Sequence, residues 1–163
     1  MTANRQKGIS VIMCCYNSAN RIKETLSALA HQQIDEDIQF EIVLVDNAST
    51  DNTVDAAKKI WENLKAPYQL RCTYEAIPGL GNARMKGIQE ASYDTIIFCD
   101  DDNWLMPNYI QGVFKILETN PSIAACGGTG IPIFETKKPE WFDEYAESFA
   151  IGSQDINREE GKL

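Results

Sequence analysis

The stretch Ile9–Leu29, "ISVIMCCYNSANRIKETLSAL", holds two periodicities in succession. Ile9 to Tyr16 is an apolar run of strand length, Asn17 and Ser18 suit a helix start, and Ile22, Leu26 and Leu29 then recur at helical spacing. A buried strand that runs straight into an amphipathic helix is the unit that the rest of the chain repeats. "FEIVLVD" (Phe40–Asp46) reads as a second strand, followed by the turn-rich "NASTDNT" and a helix with an apolar stripe of Val54, Ala57, Trp61 and Leu64. "QLRCTY" (Gln69–Tyr74) alternates as an edge strand does. "IPGLGN" leads into a helix carrying Ala83, Gly87, Ile88 and Ala91, and "TIIFCD" (Thr95–Asp100) is the fourth strand. Pro107 marks another helix start, with Ile110, Val113, Phe114 and Leu117 as its inner face, and "SIAACGG" (Ser122–Gly128) is expected to add a fifth strand.

Near-continuous apolar strands separated by amphipathic helices predict an α/β fold. Its sheet is mostly parallel and Rossmann-like, with helices on both faces. From "IPIFETKKP" (Ile131–Pro139) onward the rhythm breaks, and there is no internal repeat or low-complexity segment.

Lysine and arginine number 15 against 24 aspartates and glutamates, a formal net charge of −9 that argues against a nucleic-acid partner, which needs a basic face. An anionic ligand must then be held by a metal, by backbone amides or by a few placed cations. The composition, 44% apolar and 24% charged, is that of a globular domain rather than a disordered chain. Five cysteines form an odd set without C-x-x-C spacing, which favours a reduced, cytoplasmic setting over a disulfide framework. The opening "MTANRQKGIS" lacks the apolar run of a signal peptide, and no stretch approaches the ~20 apolar residues of a membrane span.

In open parallel sheets, ligands sit beyond the carboxyl ends of the strands. That rule gathers Cys15, Tyr16 and Asn17, then Asp46 and Asn47, then Asp100, Asp101 and Asp102 along one rim. The last three stand in "IIFCDDDNW" (Ile96–Trp104), directly behind an apolar run. Residues two apart in an extended segment face the same way, so Asp100 and Asp102 can converge on one ligand while Asp101 points elsewhere. Hard divalent ions use few protein carboxylates and complete their shells with water and phosphate oxygens. Such a rim suits a magnesium or manganese diphosphate complex; the competing reading is an Asp-rich turn that caps the next helix.

"GLGNARMKG" (Gly79–Gly87) offers close backbone approach at Gly79 and Gly81, amides at a helix start, and Arg84 one turn inside to reach a diphosphate. It fails the dinucleotide fingerprint G-x-G-x-x-G, because Arg84 occupies the last glycine position. A tight loop beside a solvated arginine is the alternative. Asp46 can accept from a nucleobase edge or ribose hydroxyl, or can simply begin the turn that follows it. Asp51 reads as a helix cap and His31 as a solvated or capping residue near a helix end. Trp141, Phe142, Tyr145 and Phe149 cluster late in the sequence, as core or interface residues rather than a sugar-stacking platform.

These segments together resemble the family-2 glycosyltransferases, with their GT-A nucleotide-diphospho-sugar-binding fold. The resemblance runs from Ile9 to about Thr129. It is carried, in order, by "SVIMCCYNSANRIKETLSAL", "FEIVLVDNASTDNT", "PGLGNARMKGI" and "YDTIIFCDDDNWLMPNYI". It implies that Cys15 and Tyr16 line the nucleotide pocket, that Asp46 holds a uracil base, and that Arg84 lies near the base or diphosphate. It also implies that Asp100 and Asp102 form a D-x-D element, Asp100 at the ribose and Asp102 on a manganese or magnesium ion. Asp101 stands between them, and a register with Asp101 as ligand is the other possibility.

The implied reaction is inverting transfer of a sugar from a nucleotide-diphospho-sugar to an acceptor hydroxyl. The acceptor would be a saccharide or a lipid-linked molecule. Residues 1–8 are then a tail, 9–130 the nucleotide-sugar-binding domain, and 131–163 the start of an acceptor-side region. The family's base is a carboxylate well after the D-x-D element; Asp155, Glu159 and Glu160 match it poorly, and the catalytic part would run past Leu163. The chain is therefore expected to be the donor-binding part of a longer enzyme acting in the cytoplasm or at the inner face of a membrane. Two alternatives remain. One is a non-catalytic sugar-nucleotide-binding module. The other is a magnesium-dependent phosphatase of the haloacid-dehalogenase type, whose aspartates would normally end the first strand.

Overall fold

In the computed structural model, residues 6–149 and 151–152 are described. The chain clusters into two compact units, residues 1–120 and 121–163.

The first unit alternates strand and helix throughout. β1 (Gln6–Cys15), β2 (Phe40–Asp46), β3 (Gln69–Tyr74) and β4 (Tyr93–Asp100) are separated by α1 (Ile22–Ala30), α2 (Thr53–Leu64) and α3 (Leu80–Glu90), and α4 (Tyr109–Thr119) follows β4. All strand pairs are parallel, in the order β3-β2-β1-β4. The two apolar runs lie at the centre, where β1 from Gly8 and β2 from Phe40 are buried almost without interruption. β3, the alternating strand, is at one edge.

Successive side chains of the central strands point to opposite faces, so each face has its own core. Ile9, Val11, Met13, Ile42 and Leu44 pack with Ile22, Leu26 and Leu29 of α1, Ala57 of α2, and Ile110 and Phe114 of α4. Ile12, Val43 and Val45 meet Ala83 of α3 on the other face, with Ile88 and Ile96 at its margin. Helices therefore cover both faces, as the alternating pattern requires.

One polar cluster is built into the sheet. Glu41 on β2, with its side chain 3% exposed, accepts from Ser10 Oγ at 2.8 Å, Arg71 Nε at 2.8 Å and the Ser92 amide at 2.7 Å. Burial disfavours its charge, but the Arg71, Ser92 and Ser10 hydrogen bonds outweigh that and hold its carboxyl below the ordinary glutamate range.

The fifth strand expected over Ser122–Gly128 does not form: the segment belongs to no strand and its residues are exposed. Apart from Ile123 it consists of serine, alanine, cysteine and glycine, which have little side chain to pack on a pleated surface. Within the second unit, α5 (Phe142–Tyr145) runs into a 3₁₀ turn at Ala146–Phe149. Phe142 is buried there, with its ring 4.7 Å from Phe134 and 5.9 Å from Phe149, whereas Trp141, Tyr145 and Phe149 are half exposed.

Among the described residues no helix is long and apolar enough to cross a membrane. All five cysteines are free.

Candidate functional site

The chain builds β1, β2 and β3 outward in one direction and then places β4 on the far side of β1. The order thus reverses between β1 and β4, and crossovers diverge there to open a crevice at the strand ends. The ladder register brings those ends level, with Cys15 opposite Asp46 and Cys14 opposite Asp100. A cavity of about 310 Å³ lies at that point, lined by Cys14, Cys15, Tyr16 and Arg21 from the first strand and its loop, by Asp100, Asp101 and Asp102 from the fourth, and by Asn47, Leu80 and Ala83.

Loop-to-loop hydrogen bonds shape its walls. Asn17 takes a left-handed conformation, φ 51°, which asparagine tolerates better than most residues. Its Oδ1 accepts from the Thr50 amide at 2.8 Å, while its own amide donates to Ser49 Oγ at 3.0 Å. The Ala19 amide donates to Asp51 Oδ2 at 3.1 Å, and Asp51 Oδ1 accepts from the Thr53 amide at 3.0 Å, at the start of α2. Asp46 Oδ1 accepts from the Ser49 amide at 3.2 Å and closes the turn after β2.

Asn47 fastens the next loop. Its Nδ2 donates to the Ile77 carbonyl at 2.8 Å and its Oδ1 accepts from the Gly79 amide at 2.7 Å. Gly79 there has φ 133°, a conformation that side chains rarely permit, and α3 begins at the following residue. Gly81, in the first turn of α3, faces open space.

The three aspartates separate. β4 ends at Asp100, and the Asn103 amide donates back to the Asp100 carbonyl at 3.2 Å, so Asp101 and Asp102 lie in a turn rather than an extended segment. The Asp100 side chain is half exposed, with Arg84 Nη2 3.8 Å away. Asp102 is exposed. Asp101 turns inward: its Oδ2 accepts from Arg21 Nε at 3.0 Å, from Arg21 Nη2 at 2.8 Å and from Ser18 Oγ. α4 begins only at Tyr109, so these carboxylates stand too far away to cap it.

Of the residues expected at the site, Cys15, Tyr16, Asp100, Asp101 and Asp102 line one cleft. Arg84 joins it through Asp100 and lays its guanidinium 5.1 Å from the Phe98 ring centre. Asp46 stands at the neighbouring strand end, outside the lining. Asp155, Glu159 and Glu160 lie outside the described residues. Asn47, placed on the rim by the sequence, also lines the cleft, whereas sequence reasoning missed Ser18 and Arg21. The sequence suggests a helix start at Asn17 and Ser18, whereas α1 begins at Ile22 and those residues serve the loop.

The cleft thiols are poor nucleophiles. Burial pushes Cys14 up to about 11, and burial together with the nearby Asp101 pushes Cys15 higher still. Hard oxygen donors remain at Asp100 and Asp102. Among the described residues there is no cluster of three or more histidine, cysteine, aspartate or glutamate side chains that would cage an ion alone. Exposed carboxylates without a cage fit magnesium or manganese, which takes one or two protein oxygens and completes its shell from water and a diphosphate.

A parallel α/β sheet whose order reverses beside a polar crevice is an architecture that binds ligands at its strand ends. The chain belongs to glycosyl transferase family 2, whose model matches residues 10–162. It is 29% identical over 125 residues to the poly-β-1,6-N-acetyl-D-glucosamine synthase of Staphylococcus epidermidis, covering 75% of this chain and 28% of that protein. Among solved structures, residues 1–349 of S. aureus TarS in complex with UDP-GlcNAc match at a TM-score of 0.61 and 25% identity, covering 80% of this chain and 38% of that one. The Pyrobaculum calidifontis mannosyltransferase PcManGT in complex with GDP-Man and Mn2+ matches at 0.53 and 28% identity, covering 61% of this chain and 28% of that one. The chain spans about a third of the length of the first curated relatives it matches.

Proposed function

We propose that this chain is the donor-binding part of an inverting glycosyltransferase. The enzyme takes a sugar from a uridine-diphospho-sugar and passes it to a hydroxyl of a saccharide or lipid-linked acceptor, with manganese or magnesium at the diphosphate. The observation that carries the reading is the separation of the three aspartates: Asp100 and Asp102 exposed at the switch-point cleft, Asp101 withdrawn. The neighbours add support. TarS was solved with UDP-GlcNAc and the mannosyltransferase PcManGT with GDP-Man and Mn2+.

In this reading Cys15 and Tyr16 form the wall against the nucleotide, and the exposed tyrosine ring offers a face on which a base can stack. Asp46 has one oxygen committed to Ser49 and one to accept from the base or ribose. Asp100 approaches the ribose, Asp102 holds the ion, and Arg84 supplies a forked donor to the diphosphate. The ion, when bound, offsets the negative charge that develops on the leaving diphosphate. Residues 9–130 form the donor domain and 131–163 open the acceptor side. The free cysteines support a parent enzyme in the cytoplasm or at the inner face of a membrane.

Calorimetric titration with UDP and GDP, each with manganese and with chelator, tests the proposal. Tighter binding of UDP that depends on the metal is expected. UDP affinity unchanged by chelator removes the metal from the reading, and preference for GDP removes the uridine donor. Release of phosphate from simple phosphomonoesters, lost in Asp100→Asn, would instead indicate a phosphatase.

A further inference from the structure

We infer that Asp101 is a positioning residue, clamped by α1 and its preceding loop so that Asp100 and Asp102 are presented to the metal and diphosphate; the inference rests on the donor-site reading above. Asp101 is held at two points. Its side chain, 10% exposed, accepts from both Nε and Nη2 of Arg21 and from Ser18 Oγ. Its main-chain carbonyl accepts from Thr25 Oγ1 at 2.9 Å. Ser18 and Thr25 are fully buried, so neither bond is shared with solvent.

All three side-chain bonds fall on Oδ2, so that oxygen is fully engaged and the carboxylate is fixed in place and orientation. What it does is fix the turn. With side chain and carbonyl both anchored on the α1 side, the residues before and after Asp101 lose their freedom to rotate away from the cleft. The neighbouring acids repel one another at such a turn, and the charge of Arg21 at the middle one offsets part of that repulsion. The Arg21 guanidinium is in turn oriented by the pair, with Nη2 also directed at the Tyr16 carbonyl at 3.4 Å, so the clamp links the acidic turn to the nucleotide wall. Partners outside a metal's own ligands act in this way, and their loss lowers metal affinity without removing a ligand.

Thr25 separates positioning from direct contact, because it is not among the residues that line the cleft and its hydroxyl donates to the carbonyl of Asp101. The experiment measures UDP affinity of the chain with manganese and with chelator for the wild type, Asp101→Asn, Thr25→Val and Thr25→Ser. Asp101→Asn and Thr25→Val are expected to lose about tenfold or more of the gain that manganese confers. Their affinity in chelator should fall by less than their affinity in manganese, since Asp100 and the Tyr16 wall meet the nucleotide without the ion, and Thr25→Ser, which keeps the hydroxyl, should keep the gain. Thermal melts of each variant show that it is folded at the assay temperature, and hydrogen exchange at the Asp101 to Asn103 amides reports the turn itself.

Loss of the gain in Asp101→Asn with none in Thr25→Val would make Asp101 a direct ligand contact and overturn the inference. So would a fall in both conditions alike, which marks general damage. If manganese gives the wild type no gain, the donor-site reading falls and this inference with it. If the wild type gains and every variant gains equally, only this inference falls.

Discussion

Gly87 of α3 stands so close to Ile12 of β1 that a Cβ built on it would overlap Ile12 Cγ2. The same helix carries Ala83 and Arg84, so the depth of this contact sets how far Arg84 stands from the strand ends. Ile12 is fully buried beneath α3 and cannot swing into solvent to make room. Gly87→Ala gains up to about 1 kcal/mol of helix propensity. It forces an overpacked contact that costs about 1–3 kcal/mol, so the net effect is destabilising. Urea unfolding should show a lower midpoint with an unchanged slope. A second substitution, Ile12→Ala, should make the double variant more stable than the sum of the two losses predicts. Simple additivity would mean that α3 shifts instead.

The Glu41–Arg71 pair behaves differently from the surface ion pairs, because Glu41 is buried at the base of the sheet. Removing Arg71 leaves a carboxylate with two neutral donors in a low-dielectric site, at a cost of about 3 kcal/mol for Arg71→Ala. The Glu41 carboxyl lies below its ordinary range when folded. Its contribution to stability is therefore complete above the unfolded value of about 4.3 and is lost as pH falls through the lower folded value. Wild type should lose stability on acidification through that window, and Glu41→Gln should lose less there while starting lower at neutral pH. Parallel pH profiles for the two proteins would contradict the assignment.

The sheet was legible in the sequence because central parallel strands must be apolar on both faces, and Ile9–Cys15 and Phe40–Val45 carry that requirement openly. Strand order was not legible: nothing in "TIIFCD" says that β4 adds beside β1 rather than β3. The rim residues could nevertheless be named, because strand ends follow from the apolar runs whatever the order. The clamp on Asp101 was out of reach, since Ser18, Arg21 and Thr25 sit some 80 positions earlier and only the parallel β1–β4 register brings them together. Asn47 could be placed on the rim as the residue after β2, but its hold on the β3–α3 loop exists only once that loop folds over it. "SIAACGG" failed in the other direction: an apolar composition without branched or aromatic bulk lacked the packing to become a strand.

The cysteines should report the fold through their reactivity. Cys15 and Cys99 are buried, and burial pushes the Cys99 thiol up to about 12. Cys14 lines the cleft, with its thiol pushed up to about 11, whereas Cys126 is exposed. Since the thiolate is the reactive form, a disulfide reagent at neutral pH should label Cys126 first and Cys15 and Cys99 only on unfolding. Labelling of Cys14 should rise with pH toward its thiol value and fall when UDP and manganese are added. Cys14 labelling indifferent to the nucleotide would move the ligand out of this cleft.

Arg84 and Asp102 are expected to fail in distinguishable ways. Arg84 is held 3.8 Å from Asp100 and rests its guanidinium on Phe98, so the side chain is oriented before any ligand arrives. A charged hydrogen bond to a diphosphate contributes about 1.5–3 kcal/mol. Arg84→Ala should therefore weaken UDP binding by roughly tenfold or more, in manganese and in chelator alike, since 1.4 kcal/mol is about a factor of ten. Arg84→Lys should restore little, because an ammonium neither forks across two phosphate oxygens nor stacks as a flat cation on Phe98. Asp102→Ala should abolish only the increment that manganese adds, and the variant should melt near the wild type because Asp102 is exposed. Raising the salt concentration should weaken binding in the wild type more than in Arg84→Ala, since screening acts on the charge that the variant lacks. An Arg84→Ala variant with full affinity would place the diphosphate away from α3, and an Asp102→Ala variant with a full manganese increment would move the ion off this carboxylate.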